Sequence, residues 1–253
     1  MIISVAQFQY FFLIVTRILI ILVQIPFLGG SNVPNQFKLA LGVLLSLIVF
    51  PWEQTAEATQ VIPLLAFAGA ILQELIVGLL TGFAATLTFA AFQTAAKIME
   101  LGSGFTAGQV FNPTIGDIGS AFDQFFLLIV TLYFFITNGH HVFLMGIMRS
   151  FDVFPVMGTL ETISLDRVIY YFALFFSFGV QIALPVFGAI LLADLSLGLL
   201  AKVSPQIQVF FLGLPIKVWL GVVGLMLSIQ VFAPRISTLF SEMGQRMLAL
   251  LGA

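Results

Sequence analysis

Residues 61–96 read VIPLLAFAGAILQELIVGLLTGFAATLTFAAFQTAA, thirty-six positions with one charge, Glu74. As a helix this stretch would measure about 54 Å. A hydrocarbon core is only about 30 Å thick and needs about 20 apolar residues. The segment therefore has to be tilted, broken or carried beyond the membrane. Within it, Gly78-Leu-Leu-Thr-Gly82 has the GxxxG spacing that lets two helix backbones approach closely. That face has two possible partners, another helix of the same chain or another subunit.

The stretch that follows breaks every rule of the first. Gly102 to Gly119 reads GSGFTAGQVFNPTIGDIG, with glycine at five of eighteen positions (Gly102, Gly104, Gly108, Gly116 and Gly119). A helix interior resists that density, since each glycine costs about 1 kcal/mol against alanine. Pro113 removes a further backbone donor. The run is not a solvated linker either, because Phe105, Val110, Phe111, Ile115 and Ile118 interrupt it. Irregular backbone between membrane spans must be buried in protein or line a cavity. Two readings follow, a loop that closes a passage or a glycine-rich surface connection.

Composition sets the class. The chain has 253 residues, 60% hydrophobic and 8% charged, with a mean hydropathy of +1.16. Soluble domains carry about 25% charged residues. The apolar runs are too long and continuous for the roughly ten-residue alternation of an outer-membrane barrel. The expected fold is all-α, a polytopic membrane-type protein with about six long, kinked helices. Net charge is −2 and the nine basic residues are scattered, so nucleic-acid binding is unsupported. Cysteine is absent, which excludes disulfides, thiol catalysis and cysteine-ligated metals.

The first segment, Phe8 to Leu28, carries Arg17 and Gln24. It lacks the basic n-region of a cleavable leader, and is expected to stay as a span. A charge at mid-span usually faces protein interior, so Glu74 either pairs with Arg17 or faces a wet cavity. Segment two, Leu39 to Phe50, reaches span length only by recruiting Pro34 to Lys38. Segment four, Phe125 to Met148, contains Asn138-Gly139-His140-His141. Adjacent histidines diverge by about 100° on a helix, whereas helical zinc sites prefer i, i+4 spacing. They are expected to be hydrogen-bonded structural residues. Arg149 to Arg167 is a polar connection.

Segment five, Val168 to Leu200, should kink at Pro185 and carries Asp194, a further polar group expected to be buried. A two-proline turn, Lys202 to Lys217, leads to segment six, Val218 to Phe232. Pro234 starts or kinks a last helix to Leu251. There Ile236, Leu239, Phe240, Met243, Met247 and Leu250 share a face, the 3.6-residue period of a packed or interfacial helix. A six-span arrangement puts Lys38, Lys97, Lys202 and Lys217 on one side and Arg149, Arg167, Arg235 and Arg246 on the other. Four against four gives no positive-inside bias. That tie hints that the helices do not all sit in the bilayer as ordinary spans.

No Walker loop, HExxH or GxSxG occurs, and no activated nucleophile can be named. The residues themselves leave a solute transporter or channel, or a structural subunit of a membrane assembly.

A series of stretches, in order along nearly the whole chain, resembles the FliR/SctT family of the type III secretion export apparatus. They are Ser31-Asn-Val-Pro34, Glu74-Leu-Ile-Val-Gly78 with Gly82-Phe83, the 102–119 loop with Asn112-Pro113, Asn138-Gly-His140 and Ser150-Phe-Asp-Val-Phe-Pro155. Ala183-Leu-Pro185, Asp194-Leu-Ser-Leu-Gly198, Ser204-Pro-Gln-Ile-Gln208 and Gly213-Leu-Pro-Ile-Lys217 complete it. One departure is Asn112, where the family more often has an acidic residue.

The resemblance implies a pore subunit and not an enzyme, with no cofactor and no metal. It implies a FliP-like part, residues 1–165, followed by a FliQ-like helical hairpin and tail, 166–253. It implies assembly with FliP and FliQ in a helical gate, with FlhB and FlhA nearby and unfolded flagellar proteins as cargo. The place would be the bacterial inner membrane and flagellar basal body, with part of the complex on the periplasmic side. The loop would plug the closed pore through Gly102, Gly104, Phe105, Thr106, Gly108, Val110, Phe111, Asn112, Pro113 and Gly116. An injectisome gate is the alternative, and a solute transporter the last reading.

Overall fold

The computed structural model describes residues 4–30, 33–50, 61–105, 121–158, 164–206 and 208–252. Among the described residues every regular element is a helix: α1 (Val5–Gln24), α2 (Pro26–Gly29), α3 (Asn35–Val49), α4 (Leu64–Ser103), α5 (Ala121–Ile136), α6 (Gly139–Val153), α7 (Leu165–Val203) and α8 (Val209–Ala249). Four of them are long and apolar enough to cross a membrane: Val5–Gln24, Leu64–Ser103, Leu165–Val203 and Phe211–Ala249. The all-α, polytopic expectation holds.

Local chemistry explains the ends. Ser4 caps α1: its hydroxyl accepts from Gln7 N, and the Gln7 side chain accepts from Ser4 N. This reciprocal pair satisfies two donors that a helix start leaves open. Pro26, at the first position of α2, stops α1. α3 packs on α1 and starts at Asn35, so Pro34–Lys38 largely join it, as expected.

Three boundaries differ from the sequence reading. The 61–96 segment becomes one unbroken helix of 40 residues, about 60 Å long, and it absorbs Gly102. Segment four is two helices. Asn138 adopts the left-handed conformation, φ 57°, which asparagine tolerates better than most residues, and α5 stops before it. The two-proline turn expected over Lys202 to Lys217 is shorter, because helix resumes at Val209 and Pro215, like Pro234, lies inside α8. Transmembrane-type helices accommodate proline where neighbouring groups re-satisfy the freed carbonyl.

The chain divides into two compact units. The first comprises Met1–Leu87, Asn138–Tyr171 and Phe240–Ala253, the second Thr88–Thr137 and Phe172–Leu239. In the first unit, α1 buries Leu13, Ile14, Ile18, Ile21 and Leu22. Val77, Phe154 and Leu251 form a cluster joined by Leu80 and Val153. The end of α8 buries Phe240, Met243, Met247 and Leu250 completely. Gly146 of α6 meets Gly244 of α8 there: a Cβ on Gly146 would lie 3.3 Å from Gly244 Cα. The amphipathic tail thus spends this apolar face inside its own chain.

In the second unit, the rings of Phe89 and Phe134 meet edge to face, 5.3 Å between centroids. Phe92 and Phe178 do the same at 6.5 Å. Gly179 of α7 lies against Ala91 and Thr94 of α4, and Gly224 of α8 against the Val186 side chain. Tyr133 Oη donates to the Ala233 carbonyl at 3.1 Å, an acceptor close to Pro234.

Candidate functional site: the neck of the central loop and the buried ion pair

The loop singled out in the sequence leaves α4 and returns at α5, and both ends belong to the second unit. Gly104 follows the last helical residue with φ +76°, a conformation that costs glycine nothing and other residues much. It ends α4 in the way glycine commonly ends helices. Gly102, in the last turn, is pressed by α7: a Cβ there would lie 3.0 Å from the Phe187 ring. Gly221 of α8 comes closer still, its Cβ position being 2.5 Å from Ser103 Cβ.

The two strands of the neck are tied twice. Phe105 leaves and Phe122 returns with ring centroids 5.1 Å apart. Lys97 Nζ bridges Asp123 at 3.1 Å and Glu100 at 3.3 Å. The Lys97 side chain is half exposed, while that of Glu100 is buried. An ion pair so open contributes little stability, about 0–1 kcal/mol, but it fixes the α4 end against the α5 start. Beneath the rings lies an apolar cavity of about 290 Å³ lined by Phe105, Phe122, Phe125, Val222, Leu225 and Met226. Of the proposed plug residues, Gly102, Gly104 and Phe105 are therefore at the neck. Thr106, Gly108, Val110, Phe111, Asn112, Pro113 and Gly116 lie outside the described residues.

The first unit holds a second centre. Arg17 and Glu74 both have side chains with zero exposure. Arg17 Nε donates to Glu74 Oε2 at 2.5 Å and Nη2 to Oε1 at 3.0 Å, the two-pronged geometry that suits guanidinium and carboxylate. The remaining nitrogen, Nη1, donates to the carbonyls of Ser150 at 3.1 Å and Phe154 at 2.7 Å. These sit at the C-terminal end of α6, where carbonyls carry partial negative charge; the Ser150 carbonyl also accepts from Phe154 N at 3.0 Å. Phe151 covers the guanidinium, its centroid 4.2 Å from Cζ. Met157 N donates to Glu74 Oε1 at 3.4 Å, and the Gln73 amide reaches the Gly158 carbonyl. One buried pair thus joins α1, α4 and the chain that leaves α6.

Gly78 and Gly82 stand beside it. A Cβ on Gly78 would lie 2.9 Å from the Arg17 carbonyl, and one on Gly82 3.1 Å from Ile21 Cα. Gln24 fills the adjoining space, donating to the carbonyls of Ile20 at 2.9 Å and Gly78 at 3.2 Å. The sequence left this face to another helix of the same chain or to another subunit; in the structure Gly78 and Gly82 lie against α1 of the same chain.

Asp194 differs in setting. Its side chain is 40% exposed and pairs with Lys217, so the chain itself does not bury it. The rings of His140 and His141 lie against each other at a tilt of 38°, centroids 4.3 Å apart. Among the described residues no group of three histidine, aspartate or glutamate side chains could hold a metal. Sequence reasoning missed Lys38, which is buried and donates to the Gly29 and Gly30 carbonyls at 3.2 and 3.0 Å. It also missed the Ser150 and Phe154 carbonyls as partners of Arg17, since backbone acceptors leave no mark on residue type.

Residues 8–243 match the family described as bacterial export proteins, family 1. The chain belongs to this family. Its relatives include the flagellar biosynthetic protein FliR of Bacillus subtilis, 30% identical over 97% of this chain and 96% of the relative. The FliR protein of Aquifex aeolicus is 30% identical over 89% and 87%. The secretion system apparatus protein SsaT of Salmonella typhimurium is 30% identical over 64% of each. This export-protein family is a component of the type III export apparatus and of flagellar biosynthesis, as the resemblance implied. The family is one of structural export components and not a known enzyme family. A helical membrane protein of this family belongs to the inner membrane.

Proposed function

We propose that the chain is the pore-forming FliR-type subunit of the flagellar export gate, and that its glycine-rich loop closes the pore to water and ions. In this reading unfolded flagellar proteins cross the inner membrane through a shared tube built with FliP and FliQ. FlhB and FlhA serve it, and part of the complex stands on the periplasmic side of the basal body. Residues 1–165 act as a FliP-like part and 166–253 as a FliQ-like hairpin and tail. The observation that carries the reading is the neck: the residues flanking the glycine-rich stretch meet at one apolar point, Phe105 against Phe122 and Lys97 against Asp123. Backbone of that kind, between membrane helices, needs a buried or cavity-lining setting. An apolar constriction excludes water and ions by dewetting, and glycine lets the segment change conformation at low cost.

The flagellar system is favoured over an injectisome because the FliR relative of Bacillus subtilis aligns over 97% of the chain, whereas SsaT aligns over 64%. The test is a photo-crosslinker at Phe105 in a complex stalled with a plugged export substrate. Crosslinks from Phe105 to the substrate are expected. Crosslinks to lipid alone would reject a pore-facing neck.

A further inference from the structure

The first two turns of α7 and the last two of α8 enclose a cleft of about 440 Å³, lined by Tyr171, Glu242, Gln245, Arg246, Leu248 and Ala249. That is the size of a small-ligand site. Arg246 Nη2 lies 2.6 Å from Glu242 Oε2. At the rim, Arg167 Nη1 donates to the Ala249 carbonyl at 3.1 Å. The closing carbonyls of Arg246, Leu248 and Ala249 already accept from the amides of Leu250, Leu251 and Gly252, which leaves the Glu242 carboxylate as the anionic acceptor of the cleft.

The cleft therefore presents two opposite chemistries side by side. Arg167, Arg246 and the Tyr171 phenol offer donors and positive charge. Glu242 offers acceptors and negative charge. A simple anion would meet the carboxylate, and a simple cation would meet two guanidinium groups. A zwitterion with a phosphodiester and a primary ammonium close together satisfies both halves. A guanidinium has five donors and a carboxylate about four acceptor sites, so Arg246 and Glu242 can hold each other and a ligand at once. The cleft also stands where a lipid would be found. Leu165, Ile169 and Tyr170 of the same helix start are 72%, 58% and 62% exposed, and tyrosine beside arginine is typical of a membrane–water boundary.

We infer that this cleft binds the headgroup of a phosphatidylethanolamine-type phospholipid, its phosphate on Arg167, Arg246 and Tyr171 and its ammonium on Glu242. Choline carries no N–H to donate, and glycerol headgroups carry no cation, so the site discriminates among lipids of equal chain length.

The test is native mass spectrometry of the complex purified from membranes, delipidated and exposed to phosphatidylethanolamine, phosphatidylcholine or phosphatidylglycerol with identical acyl chains. Retention of phosphatidylethanolamine about tenfold above phosphatidylcholine is expected, the scale of one charge-assisted hydrogen bond. Glu242→Gln should bring the two lipids within about twofold, while Arg167→Gln should lower retention of both. Equal retention of all three lipids by the unmodified complex, or a preference for phosphatidylglycerol, would overturn the assignment without recourse to any variant.

Discussion

Arg17 and Glu74, fifty-seven positions apart, meet through two hydrogen bonds in a site where neither side chain touches solvent. The pair is not an isolated exchange of charge. Arg17 also takes two carbonyls at the end of α6, and Glu74 takes the Met157 amide. Removing one partner strands a buried charge together with its remaining hydrogen-bonding groups.

Arg17→Ala or Glu74→Ala should each cost about 3–5 kcal/mol, the scale for breaking a buried pair on one side. The double change Arg17→Met with Glu74→Leu should recover much of that loss, since an apolar pair leaves no charge uncompensated. Thermal unfolding of the detergent-extracted protein measures this. A double variant no better than either single one would mean that the α6 carbonyls, and not Glu74, are what Arg17 chiefly serves.

Gly78→Leu and Gly82→Leu should lower the melting temperature of the chain even when it is produced without any other subunit. Their added atoms would meet the Arg17 carbonyl and Ile21 Cα of α1. If the two variants were stable alone and failed only in the complex, the α1–α4 contact would not be what these glycines provide.

How much of this could be read in advance follows from what residue types encode. Membrane class, helical fold and the break at the central loop follow from hydropathy and from glycine density, both local properties. The buried face of the tail followed from period 3.6, and Ile236, Leu239, Phe240, Met243, Met247 and Leu250 are all buried. The reading erred where local signals have two outcomes. Pro215 can end a helix or ride inside one, and packing chose the second; of the two outcomes expected for Pro234, starting or kinking a helix, it does not start one. Asn138-Gly139 was passed over inside an apolar run, although asparagine before glycine is a left-handed turn signal. The neck partners Lys97 and Asp123, and the α6 carbonyls under Arg17, depend on tertiary placement and carry no sequence signature.

Met243→Asp should abolish the packing of the α8 end in the chain itself. Met243 has zero exposure and lies in the tail's buried face. A buried charge without a partner belongs to the few substitutions that exceed ordinary losses, about 3–5 kcal/mol. Yield and monodispersity of the isolated chain report it. Unchanged behaviour would show that this face opens to solvent or lipid.

Asp123→Asn and Asp123→Ala should leave stability within about 1 kcal/mol, because the lysine they unpair is half exposed and keeps Glu100 as a partner. They should nevertheless raise passive ion flux through the assembled gate, since they release one of two ties at the loop neck. Flux assays on cells carrying the assembled complex check this. Lost stability without leak would mark the pair as a plain structural contact.

The claim that a glycine-rich loop seals a shared passage is tested most directly by deleting Gly104–Gly116 and measuring the permeability of cells to small ions, with complex assembly verified in the same strain. The account predicts normal assembly and a clear rise in leak. Unaltered permeability in a properly assembled complex would contradict it.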